Sequence, residues 1–243
     1  MSRFFVQPEM INGRVISVTG EEAHHIVDVM RLSVGDKIVV FDGTGTEYFA
    51  TIRELNPRSV TADVNETRKP SSGNVIKTKL IQAVPKKDRM EYILEKSTEL
   101  GVSEIVPVIT DRTIPQWDRK KIDSHLRRWS LIVKEASKQC GRTDLPMVSA
   151  VQDFKTAISG SGDYCIKLIA ALTADAKPLK AVLNGADPKS IAIAIGPEGD
   201  FAPEEIEYAK HCGFDVVNLG PRVLKSDTAG LAVLSMVGYE FSQ

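Results

Sequence analysis

Two short loops near the carboxyl end of the chain carry the residue types that chemistry needs. Gly196-Pro197-Glu198-Gly199 and Gly220-Pro221-Arg222-Val223-Leu224-Lys225-Ser226-Asp227-Thr228 each open on a glycine and a proline. Proline fixes φ and removes a backbone donor, while glycine permits angles closed to other residues, so both are shaped loops. Between them they hold two carboxylates, Glu198 and Asp227, and two cations, Arg222 and Lys225. Such a set can take up a proton or stabilise a developing negative charge. The plainer role for the carboxylates is to tie the loop and cap a helix through backbone donors.

The elements that must position these loops are legible around them. Ile191 to Ile195 is a short apolar run with isoleucine at alternate positions, the pattern of a strand buried on both faces of a parallel sheet. A helix is expected next, with Pro203 at its first position and Glu204 and Glu205 complementing the dipole. Val216 to Leu219 repeats the strand before the second loop. Open α/β sheets bind ligands outside the carboxyl ends of their strands, so two such loops side by side form the leading pocket candidate.

Composition sets outer limits. The chain has 243 residues, 42% hydrophobic and 26% charged, enough for one or two globular domains with a real core. A net charge of -1 gives no global signature of nucleic-acid binding, so an RNA partner requires a local patch. Cys140, Cys165 and Cys212 are too scattered for a disulfide framework or a zinc site, and no metal is expected. The start, MSRFFVQPEM, lacks the apolar core of a signal peptide, and no apolar run approaches the ~20 residues that span a bilayer. The cytoplasm is the default location. A dinucleotide GxGxxG loop, a GxxxxGKS loop and a GxSxG elbow are all missing from the sequence.

Residues 1–72 read as a small β-rich domain. Val15 to Val18, Lys37 to Phe41, Tyr48 to Ile52 and Val60 to Val64 are short β-prone runs, with a hairpin signal at Asp42-Gly43-Thr44-Gly45. Glu21 to Arg31 is expected as a short helix, in which adjacent His24 and His25 lie on different faces. Glu66 to Asn74, rich in Pro, Gly and Ser, marks a linker to a second domain at 73–243. There Lys79 to Val84 reads as a strand, followed by a helix capped by Asp88 and ended by Gly101, with Met90, Ile93, Leu94, Ser97 and Leu100 on its buried face. Val102 to Ile109 returns as a strand, predicting a parallel unit. Tyr164 to Leu172 is a further strand.

A basic helix is expected between Asp118 and Arg142. Its buried stripe is Ile122, Leu126, Trp129, Ile132, Val133 and Ala136, which leaves its eight cations outside in a local excess of five positive charges. That is an ordinary solvated face or a phosphate-contacting one. Gln139 and Arg142 fall at its end. In the last helix, opened by Ser226 or Asp227, Gly230 and Gly238 would allow close approach.

GPEGDF followed by LGPRVLKSDTA resembles the paired cofactor loops of the SPOUT methyltransferases, most closely the ribosomal RNA small subunit methyltransferase E family. The likeness extends over nearly the whole chain through His24-His25, Met30-Arg31, Gly35-Asp36, Phe41-Asp42-Gly43, Lys96 to Val102, Asp111-Arg112-Thr113 and Glu135 to Arg142. Asp200, Lys225 and Asp227 stand where that family favours glycine, arginine and glutamate. Lysine keeps the charge of arginine without its planar fork of donors, and Asp200 tolerates left-handed backbone better than most residues.

The resemblance implies an α/β fold: a PUA-like β-barrel holding RNA, then a parallel-sheet SPOUT domain with a trefoil knot. It implies S-adenosyl-L-methionine as cofactor, contacted by Leu172, Thr173, Ile195, Gly196, Glu198, Gly199, Leu219, Gly220, Arg222, Leu224, Thr228 and Ala229. RNA contacts carried over are Arg3, His25, Arg31, Lys86, Arg89, Arg112, Gln139 and Arg142. The implied reaction is methylation of N3 of a uridine in the decoding region of 16S ribosomal RNA, on assembled 30S subunits, by a homodimer. N3 of uracil is a poor nucleophile until its proton leaves, so Arg222 and Lys225 would stabilise charge on the base while Glu198 or Asp227 takes or directs the proton. Two other readings stay open from the residues: another SPOUT RNA methyltransferase activity, or an RNA-binding ribosome assembly factor without catalysis.

Overall fold

The computed structural model describes residues 2–69, 76–87, 89–115 and 117–241. They fall into two compact units, Met1–Ser72 with Lys134–Leu145, and Gly73–Val133 with Pro146–Gln243. Asp88, the expected helix cap, and most of the Pro/Gly/Ser stretch of the expected linker lie outside the described residues.

The first unit is built on a sheet of β1 (Arg3–Phe5), β2 (Ile11–Asn12), β3 (Val15–Thr19), β4 (Lys37–Phe41), β5 (Glu47–Asn56) and β6 (Ser59–Arg68), in the order β1-β4-β5-β6-β3-β2. The Asp42-Gly43 hairpin forms as the sequence predicts: β4 and β5 pair antiparallel, and the Asp42 carboxylate accepts from both the amide and the hydroxyl of Thr44 at 2.8 Å. Alternate side chains, among them Phe4, Ile16, Val18, Ile38, Val40, Ile52 and Val60, fill one core. That alternation is the period-2 signature of strands with one buried face. Strand β1 was not legible because three residues carry too little pattern; it pairs in parallel with β4.

The helix expected from Glu21 to Arg31 is shorter and irregular. An α-helical turn, α1 (Gly20–His24), passes into a π turn at His25–Val29, with Met30 N donating to His25 O, and Arg31 takes φ 52°. Once Glu22, Ala23 and Ile26 are buried, the widened turn directs Val29 and Met30 to solvent, and the chain leaves the helix.

The second unit is a doubly covered parallel sheet. Strands β7 (Lys77–Ala83), β8 (Glu104–Ile109), β9 (Met147–Val148), β10 (Gln152–Asp153), β11 (Ile166–Ala170), β12 (Lys177–Pro178), β13 (Ser190–Ile195) and β14 (Asp215–Asn218) run in the order β10-β8-β7-β13-β11-β14-β12, with β9 beside β8. Every pairing among its described residues is parallel. Helices α2 (Arg89–Glu99), α3 (Arg119–Cys140), α4 (Phe154–Ser159), α5 (Leu179–Leu183), α6 (Pro203–His211) and α7 (Ser226–Phe241) supply the cover. Strand β13 shows why its sequence was uniformly apolar. Ile191, Ile193 and Ile195 join a core with Ile93, Trp129 and Val233, while Ala192 and Ala194 join the opposite core with Phe154, Phe201 and Ile206.

Two expectations for the helices need correction. Leu100 is 40% exposed rather than buried, because α2 ends at Glu99 and Gly101 turns the chain away at φ 86°. The cations of α3 are not all outside. Arg119, Lys120, Lys121, Arg127 and Arg128 are exposed, but Lys138 is buried and lies 3.1 Å from both Glu22 and Glu135. The carboxyl-terminal turns of α3 belong to the first unit, where Glu22 supplies the counter-charge that burial of an ammonium requires.

A polar cluster sits toward the amino-terminal ends of the parallel strands. Lys79 Nζ is 3.5 Å from Glu104 and 4.9 Å from the Tyr164 ring centre, and the Tyr164 hydroxyl donates to Glu104 at 3.5 Å. Burial first, then the Glu104 charge and hydrogen bond, push the Tyr164 hydroxyl up to about 12. Its folded value thus exceeds the unfolded one of about 10, so its contribution to stability is complete below that pH and disappears as pH rises through about 12. Absorbance titration of the phenolates is expected to show a late step that Tyr164→Phe removes; a titration unchanged in Tyr164→Phe contradicts it.

Candidate functional site

Sheet order places the site. Strands β13, β11 and β14 are adjacent and parallel, so the loops leaving their carboxyl ends, at 171–173, 196–200 and 219–225, lie side by side. They enclose a pocket of about 410 Å³. Ile195, Val217, Leu219, Leu224 and Ala229 give it an apolar floor, while the 196–200 and 218–220 backbone and the side chains of Glu198, Arg222 and Lys225 furnish polar groups. An apolar floor with polar groups at chosen points suits a flat heteroaromatic ring attached to a polar, charged tail.

The 196–200 loop is held from three directions. Its helix begins as expected: Pro203 is at the first turn of α6, and Glu205 accepts from the amides of Ala202 at 2.8 Å and Asp111 at 3.0 Å. That second bond fixes the turn bearing Arg112, whose Nη1 donates to Gly199 O at 2.7 Å. Glu198 accepts from the Lys86 amide at 3.1 Å. From below, Gln82 Nε2 donates to Ser226 Oγ at 3.0 Å, and the Ser226 hydroxyl donates onward to Gly196 O. Gln82 is fully buried at the end of β7. Ser226 opens α7 as expected, and its hydroxyl serves the neighbouring loop.

The expected close approach at α7 is real at one glycine only. A Cβ on Gly230 would lie 3.1 Å from Gln82 Oε1 and 3.5 Å from Leu80, whereas one on Gly238 would meet open space. Gly230 is the position where α7 rests on the sheet; Gly238 is farther along, where nothing opposes it.

Charges at the mouth are unevenly matched. Arg89 lies 3.9 Å from Glu198 and 3.6 Å from Asp227, so one guanidinium faces both carboxylates. Arg222 and Lys225 line the pocket, are exposed, and have no ion-pair or hydrogen-bond partner for their side chains among the described residues.

Of the residues expected at the cofactor, Leu172, Ile195, Gly196, Glu198, Gly199, Leu219, Gly220, Arg222, Leu224 and Ala229 line the pocket; Thr173 and Thr228 do not. Among those expected at RNA, Lys86, Arg89 and Arg112 reach the 196–199 loop or its carboxylate. Arg3, His25, Arg31, Gln139 and Arg142 belong to the first unit. There Arg3 donates to Glu47 at 2.9 Å and to Arg142 O at 3.0 Å, Arg142 pairs with Asp144, His25 packs edge-on to Phe4, and Arg31 and Gln139 are exposed. The site contacts of Gln82, Asp111 and Glu205 escaped the sequence reading, which placed Glu205 only at a helix start and Asp111 only in a segment of the family likeness. A lone glutamine within an apolar strand was the one signal that could have found Gln82.

Known proteins decide the family. A family model described as an RNA methyltransferase domain matches residues 72–238, and one described as an RNA methyltransferase PUA domain matches residues 18–65. The ribosomal RNA small subunit methyltransferase E of Bacillus subtilis (strain 168) is 31% identical over 250 residues, covering 99% of this chain and 97% of the relative. The chain belongs to the ribosomal RNA small subunit methyltransferase E family. Another member, from Synechocystis, is 32% identical over 237 residues, covering 97% of this chain and 76% of that one. A crystal structure of a methyltransferase E from Neisseria gonorrhoeae bound to S-adenosyl methionine superposes with a TM-score of 0.89 at 29% identity, covering 99% of this chain and 98% of that one. The parallel-sheet domain and the small PUA-like domain expected from the sequence are thus the family's own.

Proposed function

We propose that this chain methylates N3 of a uridine in the decoding region of 16S ribosomal RNA, using S-adenosyl-L-methionine and acting on assembled 30S subunits as a cytoplasmic homodimer with knotted carboxyl-terminal loops. The observation that carries the reading is the pair of unmatched cations, Arg222 and Lys225, beside a pocket whose floor and loop backbone suit an adenosyl group. Bound there, the cofactor supplies an electrophilic methyl group that needs no metal activation. The rest falls to the protein.

Uracil becomes a nucleophile at N3 only as its proton departs and negative charge spreads to the two flanking oxygens. Cations lacking a protein counter-ion are available to meet that charge as it develops. Glu198 and Asp227 face Arg89; Glu198 lines the pocket and Asp227 follows the lining residue Ser226, so either could receive or direct the proton. The Arg89 and Arg112 guanidinium groups lie against the same loop, and Lys86 meets it through its amide, a basic edge suited to phosphate. Asp200 keeps the loop turned at φ 59°, Lys225 keeps its charge in the pocket lining and Asp227 still faces Arg89, which supports activity despite the three departures from the family's usual residues.

The test is transfer of labelled methyl from S-adenosyl-L-methionine to unmodified 30S subunits and to protein-free 16S RNA, with the product mapped. Label at a uridine N3, stronger on subunits, is the expected result. Label at a ribose or another base assigns a different RNA methyltransferase activity. No label from folded protein that binds the cofactor removes the proposed substrate.

A further inference from the structure

Position 200 is where this chain carries aspartate in place of the glycine favoured at that point of the loop. The Asp200 backbone has φ 59°, and its amide donates to Pro197 O at 3.0 Å to close the turn. Its carboxylate does something a glycine cannot. Oδ1 accepts from the Phe201 amide at 2.8 Å, and Oδ2 accepts from the Leu172 amide at 3.0 Å. Phe201 is anchored, 2% exposed and packed against Phe154 with ring centres 5.0 Å apart. Leu172 is 65% exposed and sits just beyond the end of β11, past the last sheet-like bond from Ala171 N to Val217 O. One carboxylate therefore ties an exposed loop start to a residue fixed in the core.

We propose that Asp200 is a positioning residue for cofactor binding, a clamp that holds the 171–173 loop against the 196–200 loop before the cofactor arrives. The inference rests on the reading of this pocket as the S-adenosyl-L-methionine site. Leu172 and Asp200 both line that pocket and meet through this hydrogen bond, which fixes the spacing of the two loops that carry them. Releasing it leaves the binding-competent arrangement only partly populated, and apparent affinity falls by that fraction. The Asp200 carboxylate bonds to the Leu172 and Phe201 amides and not to Arg222 or Lys225, so turnover at saturating cofactor is expected to be unaffected.

The variants Asp200→Gly and Asp200→Asn test this without threatening the fold, because both residues accept a left-handed backbone. Asparagine keeps one acceptor oxygen and glycine keeps none. In the cofactor-free protein, the Leu172 amide is expected to exchange with solvent about tenfold faster in Asp200→Gly than in the parent, the loss of one charge-assisted bond. Calorimetric titration with S-adenosyl-L-methionine is expected to show Kd about tenfold higher, with KM rising in step, kcat unchanged and Asp200→Asn in between. Equal Leu172 exchange and equal Kd in parent and Asp200→Gly overturn the clamp, as does a fall in kcat at constant KM. A parent protein that protects Leu172 yet takes up no cofactor at millimolar concentration overturns the cofactor reading itself, and the exchange measurement tells the two failures apart.

Discussion

Replacing Arg222 with alanine is expected to slow methyl transfer to RNA by about 10²–10³-fold while cofactor affinity stays within a small factor, the effect of removing one charge that meets the transition state. The size follows from what surrounds it. Glu198 and Asp227 are already faced by Arg89, but neither Arg222 nor Lys225 has a protein counter-ion among the described residues. A cation with no partner in the resting protein is free to acquire one as charge develops on the uracil oxygens. Lys225→Ala is expected to cost a similar factor, and Lys225→Arg to retain activity, since arginine offers the same charge with more donors. Single-turnover rates on 30S subunits, beside calorimetric cofactor titrations, check both. Should Arg222→Ala weaken cofactor binding as much as turnover, the guanidinium belongs to the cofactor's carboxylate instead, which its place in the pocket lining also permits.

Gly230→Val is expected to be the most damaging single change in α7, lowering stability by about 3 kcal/mol and Tm by on the order of 10 °C. Even a bare Cβ there stands 3.1 Å from Gln82 Oε1 and 3.5 Å from Leu80 Cδ1. Gln82 cannot swing aside freely, because its Nε2 is committed to Ala83 O and Ser226 Oγ, both at 3.0 Å. Pushing α7 away also breaks the path from Gln82 through Ser226 to Gly196 O, so surviving folded protein should bind cofactor poorly. Gly238→Ala is the matched control. With open space around it and helical backbone on either side, alanine there is expected to raise stability by up to about 1 kcal/mol. Thermal melts of the two variants decide the matter, and a Gly230→Val protein as stable as the parent rules out close packing at that glycine.

Much of the molecule was legible because local patterns and tertiary demands agree. The isoleucine-alanine alternation of 191–195 reads as a strand covered on both faces, and the structure divides those side chains between two cores. Asp42-Gly43 specified a hairpin through backbone angles that few residues tolerate, and Gly43 takes φ 77°. Pro203 with Glu204 and Glu205 announced a helix start, although the same Glu205 also reaches across to Asp111, a bond no local signal could disclose.

The loops that make the pocket were recognisable one by one from glycine, proline and charge. Their meeting was decided by strand order: β13 and β14 follow each other in the chain, yet the earlier strand β11 lies between them in space, and hydrogen bonding between strands carries no mark in the sequence. The same holds for the fate of charges. Along α3, period and composition placed every cation outside, yet Lys138 is buried because Glu22, far away in sequence, can pair with it. What the sequence by itself determined was the set of elements and the chemistry each loop could offer, since backbone preference and hydrophobic period act over a few residues. Which loops share a cleft, which carboxylates already face a cation, and which cations are left free for a substrate were decided by tertiary structure alone, because Coulomb and hydrogen-bond energies depend on distances in space that only the fold sets.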